Sequence, residues 1–215
     1  MKKLSLIFAS LIIYILPSFS QDSSIGLILN GGFGFESFPI FVDDYGNDVD
    51  ISTGGGFSIG AEYGYDFSPH FNLAISDLYQ VSKLSQQGKN ADGAFRRMAT
   101  TITPSLLIPL GKNGNYRMMA GAGPGIYSFG TLKIDASQVG GEKMILKYKP
   151  ALGLQASILF QMRLGDDGYL GIGGKYYHVS YTITDKGSTH YTTIDKINKP
   201  DGSGLALIMG FYQTF

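Results

Sequence analysis

The sequence predicts an all-β fold, an eight-stranded antiparallel up-and-down transmembrane β-barrel. The first observation behind this prediction is that apolar residues alternate with small or polar residues along eight segments. The second is that short and long connections alternate between these segments. The third is a composition of 215 residues with 30 Gly, 14 Phe, 14 Tyr, no Trp and only 16% charged residues. A chain so rich in glycine and aromatic residues and so poor in charge fits a β-protein, either a soluble β-sandwich or a membrane β-barrel.

The first 20 residues are predicted to be a cleaved signal peptide, and residues 21–215 the β-barrel domain. Lys2 and Lys3 precede a largely apolar run of 13 residues. This run is shorter than the roughly 20 residues that a membrane-spanning helix needs. We expect cleavage before Gln21, and the absence of a cysteine there excludes a lipoprotein anchor.

Charge and cysteine content exclude several classes of function. Basic and acidic residues balance at 17 each, so nothing in the bulk charge attracts nucleic acid. The chain has no cysteine, which excludes a disulfide scaffold, a cysteine-ligated zinc site and a cysteine nucleophile. Composition alone leaves a soluble β-sandwich and a membrane β-barrel open.

Each of the eight segments has one apolar face with a period of two, whereas a helix requires a period of 3.6. Asp77 is an exception on the third apolar face. Most segments are longer than ordinary soluble strands and reach the roughly 9 to 11 residues that a tilted strand needs to cross a bilayer. In chain order the apolar faces include Ile25/Leu27/Leu29, Phe57/Ile59/Ala61, Phe71/Leu73/Ile75, Met98/Thr100/Ile102, Met118/Ala120/Ala122, Leu152/Leu154/Ala156, Leu170/Ile172/Tyr176 and Leu205/Leu207/Met209.

The connections alternate in length along the chain. Three are short turns, near residues 68–70, 111–115 and 165–168. Four are long and polar, near residues 37–52, 85–97, 130–147 and 184–203. Outer-membrane barrels place short turns in the periplasm and long loops outside, whereas a soluble sandwich has no reason for this alternation. The pattern therefore predicts an outer-membrane barrel with four extracellular loops.

We expect the apolar face to point outward and the small or polar face to point into the barrel. An eight-stranded barrel is only just wide enough for interior side chains, and the larger face would overfill it. The inward face also carries charge, and buried charges need partners. The expected lumen charge network consists of Glu62, Asp66, Arg117, Arg163 and Lys175.

Within this network we expect Glu62 to contact Lys175 and Asp66 to contact Arg117 or Arg163. The alternative is a wet lumen in which these charges are loosely solvated.

The C-terminal strand carries Phe211 and the terminal Phe215. A strand that ends in this way resembles the signal by which the barrel-assembly machinery recognises outer-membrane barrels. Together with the signal peptide, the eight segments and the loop pattern, it makes residues 21–215 similar to the small barrels related to the OmpA transmembrane domain and to OmpX. The segments 120–125 and 103–107 also resemble the barrel domain common in Bacteroidetes, which includes PorT-like proteins.

The chain offers few candidates for catalysis, and we expect neither a cofactor nor a metal. A lipid-modifying enzyme would need a nucleophile and a base, for which His178 beside Ser180, or His190 with Ser188 and Asp185, are the local candidates. The histidines are too dispersed for a metal cluster with local ligand spacing. They are His70, His178 and His190.

Two loops carry clusters of charge. The acidic run of the first long loop could bind Ca²⁺, although its spacing is not that of an EF-hand and a solvated loop is the alternative. It comprises Asp43, Asp44, Asp48 and Asp50. The lysines of the last loop could contact lipopolysaccharide, or could simply be solvated. They are Lys186, Lys196 and Lys199.

The sequence therefore favours a monomeric, non-enzymatic barrel with a plugged lumen that presents its loops for structural or surface-interaction roles. Its expected partners are outer-membrane lipid, lipopolysaccharide and the assembly machinery. The alternatives are a narrow pore or hydrophobic-ligand conduit, a lipid-modifying enzyme, and a soluble secreted barrel.

Overall fold

The computed structural model describes residues 23–42, 46, 48–83, 92–111, 115–135, 143–186, 197 and 199–215. The predicted signal peptide lies outside the described residues. The described residues form twelve β-strands. No helix among them is long and apolar enough to cross a membrane.

Eight of the strands form a barrel wall, and each covers most or all of one predicted segment. They are β1 (Ser23–Gly34), β4 (Gly56–Ser68), β5 (Phe71–Lys83), β6 (Asp92–Leu110), β7 (Tyr116–Asp135), β9 (Ala151–Leu164), β10 (Gly168–Val179) and β12 (Gly204–Thr214). The predicted fold class, an all-β, eight-stranded antiparallel up-and-down barrel, is confirmed.

The wall is a closed ring, because each of its strands pairs antiparallel with two neighbours. The first strand, β1, joins β12 to β4, and β7 closes the ring against β9. A row of paired residues that starts at Leu152 in β9 and runs once around the wall returns to β9 at Met162, ten positions away. This stagger tilts the strands, as closure requires, and leaves the wall without an open sheet edge.

The two faces of the wall have the orientation that the alternation predicts. Apolar side chains point outward and are exposed, among them Leu27 at 55%, Leu207 at 74% and Leu152 at 80%. Small and polar side chains point inward. The buried polar residues of the interior include Asn30, Ser58, Ser76, Gln80, Thr101, Thr103, Ser105, Gln155 and Gln161.

Interior glycines leave room for the few large side chains that point inward. A Cβ on Gly26 would lie 2.4 Å from the ring of Tyr212, and a Cβ on Gly210 would lie 2.6 Å from the same ring. Tyr212 is 3% exposed. The glycines of β1 and β12 therefore form the space that this ring occupies.

The long connections were expected to be polar loops, and for much of their length this expectation is wrong. They contain four shorter strands, and both β6 and β7 extend into them. One pair of short strands forms a separate hairpin, while the other two add to the long-loop end of β7. The short strands are β2 (Phe38–Val42), β3 (Asp48–Ile51), β8 (Lys143–Tyr148) and β11 (Ile183–Lys186).

A β-bulge explains why β7 departs from its alternation. Phe129 has a φ of +56°, and the β6–β7 register shifts between Arg96 and Met98. Before the bulge the odd-numbered Tyr127 faces inward. After it the even-numbered Leu132 and Ile134 are buried instead. One extra residue thus exchanges the faces of the strand and sends its apolar end inward.

Candidate functional site

The interior of the barrel is the candidate functional site, and it has four levels. At the short-turn end, an Arg117 nitrogen lies 3.1 Å from a carboxylate oxygen of Asp66. Arg117 also donates to Gln161 at 2.6 Å, and its guanidinium lies 4.0 Å from the ring centroid of Tyr169. Asn72 donates to the second Asp66 oxygen at 2.6 Å. This lower ion pair is therefore held in place by charge-assisted hydrogen bonds to two amide side chains and by an aromatic face.

Arg163 lies apart from this group, contrary to the expected network. Its guanidinium donates to the carbonyl oxygens of Gly165 and Asp166 at 3.2 and 2.5 Å, in the exposed turn that follows β9. The strand ends one residue after Arg163. The arginine therefore binds its own turn and does not face an interior carboxylate.

Above the lower ion pair, apolar side chains from around the ring pack across the interior. This lower apolar layer consists of Ile28, Leu78, Leu107, Met119, Leu159, Ile208 and Tyr212, with Tyr169 against it. Sequence alternation assigns each of them to the inward face, where they are scattered singly among small and polar residues. Only the pairing of the strands brings them into one cluster.

The third level is a central chamber that contains Glu62 and Lys175, and side chains of the lower apolar layer line it as well. Glu62 and Lys175 line a cavity with a volume of about 40 Å³, together with Asn30, Ser76 and Gln155. That volume accommodates about two or three water molecules. No direct ion pair or hydrogen bond joins Glu62 to Lys175 within the described part of the chain. The two residues therefore share a chamber without the direct contact that was expected.

Arg97 forms the fourth level and is 1% exposed. Its guanidinium donates to Gln80 Oε1 at 2.8 and 3.0 Å, to the Tyr181 hydroxyl at 2.7 Å and to the Gly202 carbonyl at 3.0 Å. The Arg97 Cζ atom lies 5.0 Å from the ring centroid of Tyr127. Every acceptor of this guanidinium is a neutral group.

An apolar and aromatic rim cluster surrounds Arg97 at the long-loop end. It draws on β2, β3, β6, β7, β8 and β10, and therefore joins the strands of the wall to the strands of the connections. Burial raises the pKa of Tyr148 and of Tyr181. The rim cluster comprises Phe38, Val49, Ile51, Phe95, Ala99, Tyr127, Leu132, Ile134, Met144, Leu146, Tyr148, Tyr177, Val179, Tyr181 and Ile197.

Two features interrupt the apolar outer wall. Asp77, at the middle of β5, is exposed there, and its Oδ1 accepts a hydrogen bond from Thr100 Oγ1 at 2.8 Å. Elsewhere Gly31 and Gly174 have no atom near the position of a Cβ. They form an apolar depression of about 680 Å³ beside Leu207.

The sequence candidates for catalysis do not form a triad in the described residues. His178 Nδ1 lies 2.8 Å from Ser203 Oγ, not beside a Ser180 nucleophile. The Ser203 hydroxyl is 1% exposed and already accepts from the Val179 amide. Asp201 accepts from the Ser203 backbone amide and has no hydrogen bond to the His178 ring. His190 and Ser188 lie outside the described residues, as does the Asp185 side chain.

The remaining sequence candidates, the acidic run of the first long loop and the lysines of the last loop, lie only partly within the described residues. Of the acidic run, Asp43 and Asp44 lie outside the described residues, whereas Asp50 accepts from Ser37 at 3.4 Å. No group of three or more metal-ligating side chains occurs in the part of the chain that the structure describes. Lys199 is exposed, and Lys196 is not described.

Phe211 and Phe215 lie on the outer wall at 49% and 52% exposure. The Phe215 amide donates to the Ser23 carbonyl at 2.9 Å. The C-terminus is thereby tied to the start of β1, at the point where the first and last strands of the wall meet.

Sequence reasoning missed Arg97, the least exposed charged side chain among the described residues. It assigned residues 85–97 to a loop, although Arg97 continues the inward face of Ala99 and Thr101. Extending the alternation by one position would have found it. The same alternation places Tyr127 and Tyr177 on the inward face, whereas Tyr181 was not recoverable in this way because it lies beyond β10.

No protein-family model matches the chain, and no curated protein matches it. Among solved structures, the outer membrane protein OprG from Pseudomonas aeruginosa has a TM-score of 0.59 at 14% identity, covering 91% of this chain and 96% of that one. Neisserial surface protein A has a TM-score of 0.49 at 13% identity, covering 91% and 98%. Ail of Yersinia pestis has a TM-score of 0.44 at 14% identity, covering 91% and 99%. The likeness to OprG shows a common barrel fold.

Proposed function

We propose that this chain is a non-enzymatic outer-membrane β-barrel with a closed lumen, which presents its long-loop end for structural or surface-interaction roles. The main observation behind this proposal is that the distribution of side chains is the reverse of that in a soluble protein. Aliphatic and aromatic residues are exposed on the outside, and polar residues are buried inside. Water would penalise such an outer wall, whereas lipid matches it. The fold shared with an outer membrane protein, OprG, supports the same location.

The levels of the interior support a closed lumen. The lower ion pair, the lower apolar layer and the rim cluster each draw side chains from several strands around the ring. The two cavities found in the described interior are small, with volumes of about 40 and 20 Å³. These volumes suit a few isolated waters rather than a continuous column.

The ordered strands at the long-loop end support a presenting role. In place of isolated polar loops, this end carries the β2–β3 hairpin and the paired strands β7, β8 and β11. A platform of hydrogen-bonded strands fixes the geometry of whatever residues it displays. The described part of the last long connection adds the exposed Lys199 to this end.

The proposed partners follow from the same surfaces. Outer-membrane lipid covers the wall, including the depression beside Leu207, and lipopolysaccharide meets the lysines at the long-loop end. The barrel-assembly machinery reads Phe211 and Phe215, which are accessible on the strand that closes the ring. We propose that the barrel is a monomer, since the closed ring needs no strand from a second copy.

Planar-bilayer recording tests the closed lumen. The purified barrel should insert without producing a steady conductance step. A variant that removes the centre of the fourth level, Arg97→Ala together with Tyr181→Ala, should produce flickering current if the rim cluster is the main barrier. Steady, unitary channels from the unmodified protein would instead establish the narrow pore.

Lipid analysis tests the non-enzymatic role. The buried Ser203 hydroxyl argues against acyl transfer at this site, and no carboxylate of the described residues is hydrogen-bonded to the His178 ring. Mass spectra of lipid A and phospholipids should be the same whether or not cells express the protein. A new or lost acyl chain that depends on His178 would show that the barrel is an enzyme.

A further inference from the structure

A small cavity lies between Arg97 and Lys175, above the central chamber. This upper cavity has a volume of about 20 Å³. Its lining includes Asn30, Ser58 and Tyr127 as well as the two cations. The lining contains no carboxylate; Glu62 belongs to the neighbouring central chamber. The space admits one particle about the size of a water molecule.

The charges that face the described interior do not balance. Arg117 pairs with Asp66, and Glu62 shares the central chamber with Lys175. Arg97 has no carboxylate partner in the described residues, because its hydrogen bonds go to Gln80, Tyr181 and Gly202. Neutral acceptors satisfy its N–H groups but leave one positive charge uncompensated, which is costly in a buried site.

The groups around the upper cavity also lack partners. The Tyr127 hydroxyl is buried and makes no hydrogen bond. Lys175 is 9% exposed and makes no hydrogen bond or ion pair with another described residue. Asn30 lines both cavities, is 6% exposed and has an unpaired Oδ1; rotation of the amide would replace this acceptor with an N–H donor. Buried polar groups in native structures are normally paired, so these groups indicate an occupant.

We infer that the upper cavity binds one small anion of the halide class. The Lys175 ammonium and the Tyr127 hydroxyl donate to it, and Arg97 supplies the second positive charge. A water molecule would complete the hydrogen bonds but would leave the surplus charge in place. A phosphate or carboxylate group is too large for the space. Chloride, which matches both the size and the charge, is the expected occupant.

Anomalous diffraction locates the anion directly. Crystals of the full barrel grown in bromide should show an anomalous peak in the upper cavity, in contact with Lys175 Nζ and Tyr127 Oη. The peak should be absent from crystals of the Tyr127→Phe variant. A cavity in the unmodified protein that is empty or holds only water under these conditions would overturn the inference.

Unfolding measured at constant ionic strength, with chloride replaced by gluconate, gives an independent test. A ligand that binds only the folded state raises the folded-to-unfolded ratio about tenfold for each tenfold increase in concentration above its Kd. The unmodified barrel should show this dependence, whereas Tyr127→Phe and Lys175→Met should lose it.

The controls separate binding from general stability. Lys83→Met removes an exposed cation at the end of β5 and should retain the chloride dependence. Tyr127→Phe removes an unpaired hydroxyl and keeps the ring, so the variant is expected to fold even if Lys175→Met does not. A Tyr127→Phe barrel that responds to chloride like the unmodified protein would contradict the site.

Discussion

At the scale of single residues, stability depends most on Arg97. Replacing Arg97 with Met leaves the acceptors of Gln80 and Gly202 without a donor and removes the cation from the ring of Tyr127. Each buried acceptor left unpaired costs about 1–3 kcal/mol, and loss of the unbalanced charge offsets part of this. We expect a net loss of about 2–4 kcal/mol in the free energy of unfolding, measured by urea titration in lipid vesicles.

The adjacent arginine provides a matched control. Arg96 lies one position earlier on β6, faces outward and is exposed. Arg96→Met should change the free energy of unfolding by less than about 0.5 kcal/mol. Equal losses for the two variants would mean that β6 does not have the register described here.

Asp77, unlike Arg97, is expected to lower the stability of the barrel, because its carboxyl faces outward at the middle of β5. If lipid covers the wall, Asp77→Leu should raise the free energy of unfolding in vesicles by about 1 kcal/mol, since polar groups on the lipid face are unfavourable at mid-depth. Asp77→Asn, which keeps a hydrogen bond to Thr100, should raise it less. A destabilised Asp77→Leu barrel would show that this carboxylate is needed by the fold.

At the scale of elements, the bulge in β7 decides how the long-loop end packs. Deleting Phe129 would restore uninterrupted alternation and turn Leu132 and Ile134, now buried, toward the outside. The rim cluster would lose two of its members, and β8 its matching face. Limited proteolysis should then cut the β7–β8 region of the deletion variant much faster than that of the unmodified barrel.

The control for this deletion keeps the length of the strand. Phe129→Gly retains the extra residue and removes the side chain from a left-handed backbone position, so it should keep the protection and stabilise the barrel by about 1 kcal/mol. Protection that survives the deletion would show that the bulge does not set the packing of this end.

Element by element, alternation predicted the wall well, because a period-two pattern follows directly from the geometry of a strand whose two sides differ. It also placed Glu62, Asp66, Arg117 and Lys175 on the inward face. It did not determine which of them meet, since that depends on the stagger between strands. Alternation also placed Tyr127 and Tyr177 of the rim cluster inward, but most of the cluster was missed because its apolar residues lie in stretches that were predicted to be polar loops, and because the bulge at Phe129 exchanges the faces of β7.

At the scale of the whole molecule, the chain combines an apolar outer wall with an interior filled at several levels. The central claim is that this wall meets lipid and that water does not pass through the barrel. Because the sequence contains no cysteine, single cysteines can be placed along β12 without altering the background. Leu205, Leu207 and Met209 point outward there, whereas Ala206 and Ile208 point inward.

The most direct test is to attach spin labels to these cysteines in reconstituted vesicles and to measure collisions with lipid-soluble oxygen and a water-soluble nickel complex. Labels at Leu205, Leu207 and Met209 should collide with oxygen, and the thiols at Ala206 and Ile208 should resist water-soluble reagents. Reaction at the inward positions would reveal an open, water-filled pore, and collisions of the outward labels with nickel alone would show that the wall meets water.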